Sequence, residues 1–103
     1  MTQPTYKVII LEEAKVDIKE ARSYYRRVLR TLSTRFFGDV KNTVADIKIH
    51  PFSFGFRFAS FRTANLSVFP YQVHYIIDEA NAVIIIFAVL HAYRDPDFIQ
   101  SRF

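Results

Sequence analysis

The chain has 103 residues, half of them hydrophobic, with 11 Phe and 6 Tyr but only 2 Gly. That is enough for one domain, residues 1–103, around one core, and far too apolar for a disordered segment. The absence of Cys excludes disulfides, thiolate metal sites and a Cys nucleophile, and suits a reducing cytoplasm. The net charge of +4 favours an acidic or nucleic-acid partner. Met1-Thr2-Gln3-Pro4 lacks the basic-then-apolar order of a signal peptide. The longest apolar run, Ala82 to Leu90, is about half of a membrane-spanning helix, so no membrane association is expected.

In chain order, Thr5 to Leu11 reads as a strand. Glu12 and Glu13 then place negative charge where a helix N-terminus favours it. Ala14, Ile18, Ala21, Tyr25 and Val28 recur at spacings of four and three and form one helical face. Lys15, Lys19, Arg22, Arg26 and Arg30 form the adjoining stripe, so this helix has a basic flank. A second helix, capped by Thr31 or Ser33, buries Leu32, Phe36, Val40, Val44 and Ile47 and stops at His50-Pro51. The linker is short enough to fold the two helices into an antiparallel hairpin.

The following run, Phe52 to Phe58, places Phe at every second position, which is one face of an extended strand. Phe61 breaks that period and predicts a bulge or strand end near Ala59 or Ser60. Thr63-Ala64-Asn65 is the expected turn. Val68 to Asp78 and Ala82 to His91 are expected to pair as a hairpin across Asp78-Glu79-Ala80-Asn81. Tyr71, Val73, Tyr75 and Ile77 would share a face, with Ile84, Ile86 and Ala88 on the same core. The order strand, helix, helix, three strands is α+β: an antiparallel sheet with a helical hairpin packed on one face.

Few residues carry chemistry. Cleavage of a phosphodiester at a ribose hydroxyl needs a base, an acid and cations on the phosphate. His91, Tyr93 and Arg94 are the grouping that best meets this need, with Arg62 able to join them; a strand-end His bonded to a carbonyl is the plainer reading of His91. His74 alternates with Val73 and Tyr75 and is expected on an exposed sheet surface or under a partner. Arg57 and Arg62 stand among aromatic residues, a pattern that stacks bases and neutralises phosphates or simply borders a core. Arg22, Arg26 and Arg30 can meet nucleic acid or an acidic protein, or be a solvated face. Asp95-Pro96 reads as a turn or short-helix start. No metal-ligand spacing, Gly-rich phosphate loop or nucleophile elbow is present, so neither a metal nor a cofactor is expected.

Several short pieces share an order. They are the opening strand with Glu12-Glu13-Ala14-x-x-Asp17-Ile18, then Tyr24-Tyr25, Phe36, Pro51, Arg62, Phe69-Pro70-Tyr71, and His91-x-x-Arg94-Asp95-Pro96. Together they resemble the RelE/ParE toxin superfamily of bacterial toxin–antitoxin systems. The resemblance implies a cytoplasmic toxin held in a hetero-oligomer by a small cognate antitoxin whose C-terminal arm wraps it. RelE-like members cut mRNA on the ribosome; ParE-like members inhibit DNA gyrase. No tyrosine follows Tyr93, and the Phe69-Pro70-Tyr71 and His91 to Pro96 pieces look more like the ParE side. The expected function is therefore gyrase inhibition, with ribosome-dependent mRNA cleavage, or an inactive antitoxin-binding member, as alternatives.

Overall fold

The computed structural model describes residues 5–58 and 60–103. The expected bulge near Ala59, and the reading of Met1 to Pro4, lie partly or wholly outside the described residues. Five strands form one sheet in the order β1-β5-β4-β3-β2. They are β1 (Lys7–Ile10), β2 (Phe56–Arg57), β3 (Phe61–Asn65), β4 (Tyr71–Asp78) and β5 (Val83–His91). All neighbours are antiparallel except β1, which pairs in parallel with β5 from Lys7↔Val83 to Ile10↔Ile86. Among the described residues no helix is long and apolar enough to cross a membrane.

Helices α1 (Glu12–Val28) and α2 (Arg30–Ile49) cover one face of this sheet. The expected stripes are the buried ones: Ala14, Ala21 and Tyr25 from α1, and Phe36, Val40 and Ile47 from α2, meet Val73, Tyr75, Ile84 and Ile86. Val28 is an exception, exposed in the last turn beside the hairpin tip. A single extended residue, Leu29, closes α1 and opens α2, and brings no side-chain cap. The expected Thr31 or Ser33 cap is corrected by this: both residues lie inside α2, because the break falls earlier.

The opposite face is covered by α3 (Pro96–Arg102), seven residues long. Phe98 and Ile99 pack there on Phe61, Ile76, Phe87, Ala88 and Leu90. Ala88 was expected on the hairpin side. Tyr75 pairs with Ile86 and His74 with Ala88, so Phe87 is an extra residue. That bulge moves every later side chain of β5 to the other face. Val89 therefore joins the hairpin-side core in place of Ala88.

The phenylalanine run is not a continuous strand. Only Phe56 and Arg57 pair, while Pro51 to Phe54 loop back. Arg62 holds this loop by donating to the carbonyls of Phe52 (3.3 Å) and Phe54 (2.7 Å), and its guanidinium lies 4.0 Å from the Phe56 ring centre. The Tyr75 hydroxyl donates to Pro51 O at 2.7 Å, and burial pushes that phenol up to about 12. Thr63-Ala64-Asn65 is strand rather than turn. The turn falls later, because the buried carboxylate of Asp39 on α2 accepts N–H bonds from Ser67 (3.1 Å), Val68 (2.9 Å) and Phe69 (3.0 Å).

Candidate functional site

The end of β5 opens into a cavity of about 250 Å³ lined by Tyr24, Tyr71, His91 and Arg94 together with Asp17 and Glu20. Three local features build it. Ala92 N–H donates to Pro70 O at 2.9 Å and Arg94 N–H to His91 O at 2.9 Å, so the chain turns sharply after β5. Asp95 then caps α3, its carboxylate accepting the Asp97 N–H at 2.9 Å, with Pro96 at the first helical position. The short-helix reading of Asp95-Pro96 agrees with this.

His91 is half-buried, and its ring stands edge-on to Tyr71 at 5.4 Å between centroids. Its Nδ1 accepts the Tyr93 backbone N–H at 3.2 Å, which leaves Nε2 as the nitrogen free for other partners. Tyr93 is 89% exposed, its ring 5.6 Å from His91. Arg94 lies over the Phe98 ring at 3.9 Å. Burial raises Tyr71 above the ordinary tyrosine range, with Tyr25 and then Tyr24 adding to it, so at neutral pH it is a hydrogen-bond donor and not a base. His91, Tyr93 and Arg94 are thus neighbours, as the sequence suggests. Arg62 is not among them, being committed to the loop at the far side of the sheet.

Asp17 belongs to the opening family-like piece, but its role is one that sequence reasoning did not assign. It interrupts an otherwise apolar set, Ala14, Asp17 and Ala21, on the buried face of α1. An acid at such a position signals a buried partner. Here there are two. β1 pairs with β5 only as far as Ile86, so the outer edge of β5 beyond that point has no strand beside it. The Asp17 carboxylate accepts the Val89 N–H at 3.0 Å, while Arg102 Nη1 lies 3.4 Å from Phe87 O. Acceptor to Val89 and donor to Phe87 are the two bonds that one residue of a parallel strand opposite Ala88 would make. The two side chains are joined by a bidentate pair, both contacts 2.8 Å. The Asp17 hydrogen bond, ahead of its charge, holds Arg102 above the usual guanidinium range. Asp17 is therefore a structural carboxylate that lines the cavity without being free in it.

The remaining basic residues divide. Arg57 donates to Gln72 Oε1 at 2.7 Å and, with Arg62, serves the β2–β3 corner. Arg22, Arg26 and Arg30 stay on the outer side of the hairpin. Arg22 and Arg26 line a groove of about 400 Å³ with Lys15 and Lys19 over a floor of Ile10, Ile18 and Phe37. His74 is corrected outright. It is fully buried between Phe61 and Phe87, its Nδ1 2.8 Å from Thr63 Oγ1, because α3 covers a face that was expected to be open. Burial, and then the nearby Arg57 charge, lowers its pKa to about 4. Among the described residues no cluster of three His, Cys, Asp or Glu could hold a metal ion.

The model of the family described as ParE toxin of type II toxin–antitoxin system, parDE, matches residues 8–96, from β1 through the start of α3. The chain belongs to the ParE toxin family. No curated protein matches this ParE-family chain. Among solved structures it is similar to a chain of the toxin–antitoxin complex RelBE2 from Mycobacterium tuberculosis. The identity is 21% over 85% of this chain and 99% of that chain, with a TM-score of 0.53. At that identity the likeness is one of fold, and it places the ParE-family chain in the RelE/ParE-like α+β class.

Proposed function

We propose that this ParE-family protein is a cytoplasmic toxin that arrests growth by binding DNA gyrase and is kept inactive by a cognate antitoxin. The observation that carries the reading is the match to the ParE family over residues 8–96. The make-up of the β5 cavity supports it. His91 and Arg94 share that cavity with Glu20, and a carboxylate beside a scissile phosphate opposes the cation clamp that RNA cleavage needs. The function is then surface recognition, with Arg94 and the hairpin arginines as contacts. An antitoxin partner accords with the fold shared with a chain of the toxin–antitoxin complex RelBE2, and with the cationic rim of the α1–α2 groove.

One arrangement favours the second reading, ribosome-dependent mRNA cleavage: His91 and Arg94 line one cavity, and Tyr93 is exposed beside them. Pulse-labelling minutes after induction of the chain alone separates the two. Under the gyrase reading thymidine incorporation falls first, and His91→Ala leaves the arrest intact. An early fall in methionine incorporation that His91→Ala abolishes establishes the ribonuclease instead. Full induction without arrest marks an antitoxin-binding protein with no toxic activity.

A further inference from the structure

Beside the Leu29 turn of the hairpin is a separate cavity of about 330 Å³, lined by Arg22, Arg26, Arg30, Ser33 and Thr34. Its lining holds three guanidiniums and two hydroxyls and no carboxylate. Two of its buried polar atoms, Ser33 Oγ and Arg22 Nε, have no hydrogen-bond partner among the described residues. Ser33 is only 3% exposed, and buried polar atoms in folded proteins are normally paired. Arg22 is held in place by its guanidinium stacking 4.2 Å over Phe37. The same spot is the N-terminus of a 20-residue helix with no side-chain cap and no acid in its first turn, so no side-chain charge offsets the positive end of its dipole. Unpaired buried donors, converging cations and an open helix N-terminus all call for an anion.

We propose that this cavity binds a phosphate group, with Arg26 and Arg30 as the charged clamp and Ser33 Oγ and Arg22 Nε as the buried donors. The donor count favours phosphate over carboxylate. Three guanidiniums and two hydroxyls offer more N–H and O–H groups than the roughly four lone-pair sites of one carboxylate can accept. The surroundings favour a DNA backbone as the source. Arg22 and Arg26 also line the neighbouring groove with Lys15 and Lys19, continuing the cationic track along α1. From Lys15 to Arg26 the α1 helix rises roughly 16 Å, which is about five phosphates of one strand at 3.4 Å each. The site shares the hairpin arginines with the gyrase reading but does not rest on it, since it requires only that the ligand carry phosphate.

The test titrates the purified full chain with inorganic phosphate, following amide and arginine Nε resonances, and with a labelled 20-base-pair duplex over a series of salt concentrations. Phosphate is expected to move the Ser33 and Thr34 amides and Arg22 Nε. Ser33→Ala, which removes no charge, is expected to weaken phosphate about tenfold, the size of one hydrogen bond to a charged group. Arg26→Gln with Arg30→Gln is expected to weaken the duplex at least as much and to make its salt slope shallower by about two. Phosphate shifts with a duplex affinity unaffected by the arginine pair would support the site and assign it to a free phosphorylated molecule. Phosphate affinity unchanged by both Ser33→Ala and the arginine pair, or no phosphate shifts at all, would overturn it.

Discussion

The two faces of the sheet are covered by unequal means. On one lie helices of 17 and 20 residues, α1 and α2, on the other a helix of seven, α3. The hairpin side is closed mainly by apolar volume, with the buried Asp39 carboxylate given over to the β3–β4 turn: Phe36 sits within 5.0–5.4 Å, centroid to centroid, of Tyr71, Tyr25 and Phe69. The α3 side gathers polar devices instead. It includes the buried His74 and is tied across the sheet edge by the Arg102–Asp17 pair. A thin cover leaves backbone and imidazole groups that apolar packing cannot satisfy, so side chains must do it. The cavity holding His91 and Arg94 lies beside that tie, which explains why Asp17 lines it.

The comparison predicts where the molecule breaks. Removing Phe36, which is fully buried, opens a cavity in the larger core; Phe36→Ala is expected to cost about 3–5 kcal/mol and Ile86→Ala about 2–5 kcal/mol. Losses of that size threaten a domain of ordinary stability. Urea midpoints near wild type for both would mean that the larger core is not where stability lies. Arg102→Met should cost about 3 kcal/mol, because it leaves Asp17 charged and buried without its partner. The loss should be sensed first in hydrogen exchange at the Val89 amide, which Asp17 holds at 3.0 Å, while α2 amides keep their protection. Equal loss of protection in α2 would show that the two faces unfold as one.

The same contrast accounts for what the sequence revealed. Hairpin stripes such as Phe36, Val40 and Ile47 repeat with the helix period, and that period is local, so it could be read directly. Features set by distant partners could not. The β3–β4 turn is placed by Asp39, 28–30 residues away from the amides it binds. The loop around Phe52 and Phe54 is placed by Arg62. The parallel pairing of β1 with β5 joins opposite ends of the chain, and one extra residue at Phe87 reversed the facing of Ala88. Of the site, the local order His91, Tyr93, Arg94 was legible, whereas the Asp17–Arg102 closure, 85 residues apart, was not. His74 shows the cost of missing α3: its alternation with Val73 and Tyr75 was correct, but its burial depends on what lies above it.

That burial has a pH signature. His74 is neutral when folded, with its pKa lowered to about 4 from 6.5. The unfolded chain therefore binds a proton over a range where the folded chain does not. Its contribution is present above about pH 6.5 and is lost as the pH falls toward 4. At ~1.4 kcal/mol per pKa unit, stability should drop by about 2 kcal/mol between pH 7 and pH 5. His74→Gln, which can still bond Thr63, should flatten that drop in urea titrations at the two pH values. A profile unchanged by the substitution would assign the acid sensitivity elsewhere.

The smallest effect concerns the cap that starts the thin cover. Asp95 accepts the Asp97 N–H at 2.9 Å, and its own carbonyl accepts from Phe98 at 3.0 Å. The side-chain bond is lost in Asp95→Ala, which should cost about 1 kcal/mol. An isolated seven-residue helix is too short to persist in water, so α3 depends on its cap, on Ile99 in the core and on Arg102 at its end. Losing the cap should raise exchange at the α3 amides while leaving α1 and α2 unchanged, and should loosen Arg94, whose guanidinium rests on Phe98. If α3 exchange is unaffected, Ile99 and the Arg102 pair hold the helix without help, and the smaller face is sturdier than its length implies.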